Sequence, residues 1–371
     1  MIRWAASLGL ILAITLAAPG AHGQSPAGAY ETLRLIDGVR VLMNPADHAS
    51  FASSNVVIIE QADGLVVVDS GFSRADGDQI VSYIRSFTAK PVKALIYTHW
   101  HNDHHQGASQ IQAAWPQVRI IATEAARRGI DGPARLEGVG YETNPAWEAL
   151  LAGQLRDVAA RYQEAAANPE NDAWRRHRFG QAAQQSLDGI PALVGTRLTA
   201  PTELFTADLV IDDPLRPVHI RHLGRANTDG DLIVWLPNQR VVATGDIVVS
   251  PIPFGFGSYP GDWIETLGRI KALGFHVLIP GHGLPQSDSA YIDRLIAAIA
   301  DIRTRVGALA AEGLTLEQVR ERVDYAEQTA IFGPSPARQA NFQSLWLSPM
   351  TENAYKEATG VPIVQGQGEL P

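Results

Sequence analysis

The segment Thr98-His99-Trp100-His101-Asn102-Asp103-His104-His105 gathers four imidazoles and a carboxylate into seven positions, in a chain that holds only 11 histidines. Alternate side chains of an extended chain point the same way, so His99, His101 and Asp103 can converge on one centre. His104, entering a following helix, faces that centre from another direction. Crowding four such groups together is costly unless a cation lies between them, and imidazoles with a carboxylate are a donor set for zinc or a similar divalent ion. His105 falls outside the set and reads as a packing residue or as support behind the ligands. The chain has no cysteine, which removes disulfides, thiol nucleophiles, iron–sulfur clusters and thiolate metal sites together.

Positioning such a loop requires a strand before it and a scaffold around it. Residues 92–98 read as that strand, after Pro91. Upstream, apolar runs at 32–36 and 39–43 flank Asp37-Gly38, and runs at 55–60 and 65–69 flank Asp63-Gly64; both pairs predict hairpins whose turns favour positive φ. Residues 78–87 carry Ile80, Tyr83, Ile84 and Phe87 at helical spacing. Residues 145–185 turn Ala-, Gln- and Arg-rich and helical, broken at Asn168-Pro169, and predict an inserted block. Strand-like runs return at 204–211 and 218–223, followed by a hairpin at 231–236 and 240–244, a helix at 263–273 and a strand at 276–279. The tail from residue 289 predicts helices, one of them opened by the capping box Thr315-x-x-Gln318. The expected fold is α+β, with sheets in both halves, helices outside and no internal repeat.

The 371 residues allow two domains or one large decorated unit. With 30 basic against 39 acidic residues, the formal charge is −9, and the basic field that a phosphate backbone requires is missing, so nucleic acid is not expected as a partner. Residues 1–23 read as a signal peptide: Arg3 is a basic start, residues 4–18 are apolar, and Ala21-His22-Gly23 is a cleavage pattern. The expectation is a periplasmic or secreted protein starting near Gln24, with no membrane association of the mature form.

The pattern His99-x-His101-x-Asp103-His104 after a strand resembles the metallo-β-lactamase superfamily. The resemblance continues in the family's order through Asp69 in Val67-Val68-Asp69-Ser70-Gly71, Asp246 in Thr244-Gly245-Asp246, and His282 in Pro280-Gly281-His282-Gly283. It implies a four-layer αββα sandwich over residues 24–290, with a helical insertion at about 145–185 and a helical extension at 291–371. It also implies two metal ions at one sheet edge, as zinc or another divalent metal. One ion would take His99 and His101, the second Asp103, His104 and His282, with Asp246 bridging. Alone, Asp246 reads as a turn residue and His282 as a surface histidine; Gly245, Gly281 and Gly283 allow the tight backbone that brings such residues beside a ligand.

At Asn227, in Gly224-Arg225-Ala226-Asn227-Thr228, the chain departs from the family, which usually carries a third histidine for the first ion there. A neutral amide oxygen is a weaker donor than imidazole, so the first ion should be held less tightly. His219 and His222 lie on one strand with opposite parity and read as packed or surface residues. The resemblance implies a metal-dependent hydrolase in which the cations lower the pKa of water, and Asp103 orients the resulting hydroxide against a small-molecule carbonyl-type substrate such as a lactam, lactone or ester. Asp69 reads either as a turn cap or as a carboxylate bracing the ligands from behind. Residues 253–260 offer an aromatic wall or a packed loop, and the insertion either covers the pocket or forms a contact in a homodimer. The alternative is a catalytically impaired periplasmic metal-binding or accessory protein.

Overall fold

A computed structural model describes residues 30–44, 53–132, 140–171, 173–206 and 208–365. The expected signal peptide at 1–23 lies outside the described residues. Twelve described strands form two sheets. The first has seven strands in chain order: β1 Glu31–Ile36, β2 Val39–Met43, β3 Val56–Glu60, β4 Leu65–Val68, β5 Val92–Ile96, β6 Arg119–Thr123 and β7 Glu203–Phe205. The first four run antiparallel as a meander, and β4 to β7 run parallel. The second sheet is ordered β12-β11-β10-β9-β8, from β8 Asp208–Ile211, β9 Val218–Arg221, β10 Ile233–Leu236, β11 Val241–Ala243 and β12 Val277–Ile279.

The inner layer is built from alternate residues of both sheets: Val57, Ile59, Val66, Val68, Ala94 and Ile96 from the first share one buried cluster with Val218, Ile220, Val234 and Ala243 from the second. The opposite parity of the first sheet, Ile58, Val67, Leu95 and Ile120, packs outward against helices. Both faces are therefore apolar, which is why strands such as β3 and β4 read as continuous hydrophobic runs rather than alternating ones. Outside the first sheet lie α1 Arg74–Phe87, α2 Asn102–His105, α3 Ala108–Ala114, α4 Glu124–Asp131, α5 Pro145–Ala167 and α6 Ala173–Leu193. Outside the second lie α7 Pro260–Ala272 and α8 Ala290–Ala311. The short helices α9 Leu316–Arg322, α10 Ala326–Phe332 and α11 Pro336–Phe342 follow, then α12 Ser348–Thr359. Trp263 of α7, Ile292, Leu295 and Ile299 of α8, Trp346 just before α12 and Met350 within it form the outer core of that side.

Several expectations are met in detail. Gly38 sits at φ 72° in the first hairpin, and the Thr315 capping box forms with both of its hydrogen bonds. The inserted block is a helical pair that ends at Leu193 rather than 185, with Tyr162 stacked on Phe179 across it at 6.1 Å. Two readings differ. Gly64 is not in the left-handed region; a Cβ there would meet the Pro91 carbonyl at 2.9 Å, so that glycine answers a close approach between strands. The run at 204–211 is two strands, not one: β7 ends the first sheet and β8 starts the second, a change of layer that period-2 patterning cannot reveal because inner and outer faces are both apolar.

Candidate metal centre

Strand β5 delivers Tyr97 and Thr98 to the sheet edge, and α2 starts at Asn102, so the loop between them projects the histidines while His104 points inward from the helix. His99 and His104 are fully buried, and Asp246 and His282 nearly so. The ligand-type atoms form two groups, His99, His101 and Asp246 in one, and Asp103, His104 and His282 in the other. In the second, His282 Nε2 lies 2.9 Å from Asp103 Oδ2 and 3.6 Å from Asp246 Oδ1. His104 Nε2 lies 3.6 Å from that Asp103 oxygen and 3.3 Å from Asp246 Oδ1. Four donors at about 2.0 Å from a tetrahedral zinc are spaced by about 3.3 Å, so these four atoms already approximate a tetrahedral shell. In the first group, His99 Nε2 and His101 Nδ1 are 2.9 Å apart, and the other Asp246 oxygen, Oδ2, is 3.8 Å from His99 Nε2. One carboxylate thus turns an oxygen to each group.

Buried polar atoms normally find partners, yet His104 Nε2, His282 Nε2, Asp246 Oδ1 and Asn227 Oδ1 are buried without a hydrogen bond. The chemistry of all four, and the spacing of the His104, His282 and Asp246 atoms, fit a divalent cation. Burial, reinforced by the charges of His104, His101 and His282, holds the His99 imidazole well below its ordinary pKa, leaving a free lone pair. Burial works against charge on His104 too, but Asp246, Asp103 and Asp69 outweigh it and favour the protonated ring. Burial likewise opposes ionisation of Asp103, and the His104 and His282 rings outweigh it and hold its carboxyl below the usual range. A cation can take the place of the proton that this acidic surround attracts.

Behind the ligands, Asp69 accepts from the Thr98 amide at 2.8 Å and the Thr98 hydroxyl at 2.9 Å, and its Oδ2 lies 2.8 Å from His104 Nδ1. Thr98 Oγ1 is 3.0 Å from His99 Nδ1. Asp69 therefore braces two imidazoles rather than merely capping a turn, and does so from φ 61°. His105 donates through Nε2 to the Trp100 carbonyl at 2.8 Å, which makes it a clamp on the loop. Gly281 packs directly on Asp246, where a Cβ would fall 2.0 Å from its Oδ1.

Asn227 is fully buried, and its Nδ2 donates to the Phe254 carbonyl at 2.8 Å, which assigns the unpartnered Oδ1 as the free end. The Phe254 ring lies 5.2 Å from that of His282, so the 253–260 loop supplies a wall as well as a packed segment. His222 is turned to the Asp231 carbonyl at 2.7 Å, and neither it nor His219 joins a metal-type group among the described residues. The sequence reading missed Asn55: its backbone N–H donates to Gly281 O, and its side chain donates to the carbonyls of Pro280 and Gly283 at 2.9 and 2.8 Å, which pins the His282 loop. An asparagine opening a strand carries no periodic signal that could have flagged it.

A family model described as the metallo-beta-lactamase superfamily matches residues 49–282. Linear primary-alkylsulfatase from Pseudomonas sp. is 24% identical over 292 residues, covering 75% of this chain and 51% of the relative. Alkyl/aryl-sulfatase BDS1 from Saccharomyces cerevisiae is 24% identical over 199 residues, 51% of this chain and 27% of that protein. The chain thus spans about half the length, or less, of these curated relatives. Among solved structures, the stereoselective inverting sec-alkylsulfatase Pisa1 from Pseudomonas sp. aligns with a TM-score of 0.58 at 17% identity, over 92% of this chain and 52% of that one.

Proposed function

Since the chain belongs to the metallo-beta-lactamase superfamily and is a metallo-hydrolase of that kind, we propose that it cleaves sulfate esters of small apolar alcohols, with zinc ions held by His99, His101 and Asn227 on one side, by Asp103, His104 and His282 on the other, and with Asp246 between them. The relatives named as alkylsulfatases favour this substrate over the lactam, lactone or carboxylic ester expected from sequence. The observation that carries the reading is the pre-arranged shell of Asp103 Oδ2, His104 Nε2, His282 Nε2 and Asp246 Oδ1, three of whose atoms have no other partner.

Bound divalent cations would supply positive charge to the leaving and attacking oxygens and lower the pKa of water. The residues supply the rest. Asp103, kept ionised, orients the water and stays an anion rather than storing its proton. Asp69 holds His104 and Thr98, and through Thr98 His99, so the imidazoles need no reorientation during turnover. Phe254 presents an apolar face beside His282 for the hydrocarbon part of the ester. The net reaction consumes one water and yields an alcohol and hydrogen sulfate.

The test is a substrate panel with the metal-loaded protein: linear and secondary alkyl sulfates, an aryl sulfate, a lactam, a lactone, a carboxylic ester and a phosphodiester. Sulfate release from the alkyl esters well above turnover of every other class is expected. Turnover of a lactam or lactone with none of a sulfate ester would reject the substrate, and loading of both ions with no turnover at all would favour the accessory-protein alternative.

A further inference from the structure

Trp100 sits in the chain between the two first-group histidines and is fully buried, with its ring 4.6 Å from that of His101 and its Cβ, Cγ and Cδ1 packed against Gly129 of α4. Its indole N–H, the one polar group of the side chain, donates to Oε1 of Gln365 at 3.0 Å, 265 residues further along the chain. The other end of the same amide donates to the Gly257 carbonyl at 2.7 Å and to Tyr259 Oη at 3.2 Å. Gln365 reaches this place because α12 stops at Gly360, in the left-handed region, and residues 361–365 run on without regular structure across the 253–260 loop.

One loop that this amide touches carries the two histidines of the first group, and the other is bonded to the segment that carries Asn227. Trp100 lies between His99 and His101. Tyr259 N–H donates to the Ala226 carbonyl at 2.9 Å, one residue before Asn227, and the Phe254 carbonyl receives the Asn227 amide. The second group is tied down by other means, Asp69 on His104 and Asn55 on the His282 loop. We propose that Gln365 is a positioning residue for the first metal site, a single carboxamide that locks the His99–His101 loop to the loop bearing Phe254 and Tyr259 and so fixes where His101 and Asn227 stand relative to each other. The metal part of this inference rests on the ligand assignment proposed above; the locking of the two loops does not.

Two variants test it. Gln365→Met keeps the length and removes every polar contact. Gln365→Glu keeps an acceptor for Trp100 but cannot donate to Gly257. Calorimetric titration of the metal-free protein with zinc should show the weaker ion loosened by about tenfold in Gln365→Met, as for other partners that orient a ligand, with the tighter ion unchanged. Gln365→Glu should fall between Gln365→Met and wild type. Hydrogen exchange of the metal-free proteins should quicken at residues 99–101 and 255–259 and not at 104–106 or 281–283. Equal loosening of both ions, or faster exchange without any change in the weaker ion, would overturn the positioning role; unchanged exchange in both variants would overturn the lock itself. Failure of the wild-type protein to take up zinc would instead reject the ligand assignment, while the exchange comparison would still decide whether the loops are locked.

Discussion

The two ligand groups share Asp246 but are finished differently. Around Asp103, His104 and His282 every donor is charged or an imidazole, the atoms stand 2.9 to 3.6 Å apart, and Asp69 and Asn55 brace the elements that carry them. Around His99 and His101 the further protein donor we propose is the neutral Asn227, whose orientation is set by the Phe254 carbonyl of a loop rather than by a strand or helix. On the proposed assignment the second site would be closed by protein donors, whereas the first, backed by Asp69 only through Thr98, would leave more of its shell to solvent or substrate. Such inequality suits hydrolysis, since a catalytic ion needs an open position whereas a structural one does not.

The largest effect that could break this contrast comes from the closed site. Asp103→Ala or His104→Ala should reduce hydrolysis of the best panel substrate below detection while far-UV circular dichroism stays at the wild-type value, because the ion is lost with its ligand; activity retained in either variant would remove the contrast altogether. Next in size is Asp69→Asn, which keeps the shape but loses the charge bracing His104. Zinc affinity at the tighter site should drop about 10- to 100-fold, measured by competition with a chromophoric chelator, and an unchanged affinity would mean that Asp69 serves the Thr98 turn alone.

A gain of function at the open site is smaller. Asn227→His should tighten the weaker ion by roughly tenfold, given the stronger donor, and bring the stoichiometry in dilute zinc closer to two; no gain would mean that the amide already closes the shell, or that solvent does. The smallest effect provides a baseline for pH studies of both sites. Burial raises the Asp76 carboxyl from 3.8 to about 6, against the opposing hydrogen bonds of Ser73, Phe72 and Ser53. The folded state therefore keeps a proton that the unfolded chain releases. The stability linked to that proton is present below about pH 4 and is lost as pH rises through 6, by at most about 1.4 kcal/mol per pH unit. Denaturation of the metal-free protein between pH 4 and 7 should show this slope, and Asp76→Asn should flatten it.

The histidine loop, Asp246 and His282 were legible because ligand chemistry is concentrated in few residue types and the motif has fixed spacing. The hairpins and the α8 helix were legible from turn residues and from the 3.6 period of Ile292, Leu295, Ile299 and Ile302. What escaped is set by contacts between distant segments. Strand β6 and helix α4 lie in a stretch whose apolar residues follow neither period clearly, and the passage from β7 to β8 leaves no mark in a run that is largely apolar. Asn55 and Gln365 do their work through hydrogen bonds to backbone or indole groups more than two hundred residues away, and nothing adjacent to either residue announces that.

The Asn55 clamp also bears on the order in which the protein can be made. Its side chain lies 225 residues ahead of the Pro280 carbonyl that it holds. A chain emerging from the ribosome presents the four clustered imidazoles well before Asp246 and His282 exist. During that interval the histidine loop can hold a cation only through an incomplete, water-rich shell, which discriminates poorly among divalent metals because affinity then follows the general order of the elements rather than a built geometry. With the ligands proposed above, selection of an ion would wait until β12, the last described strand, is seated and the loop after it meets Asn55. Contacts of such long sequence separation are also the slow ones to form. The metal composition of freshly made protein should accordingly reflect which ions are present when the last third of the chain folds, a kinetic property of the topology.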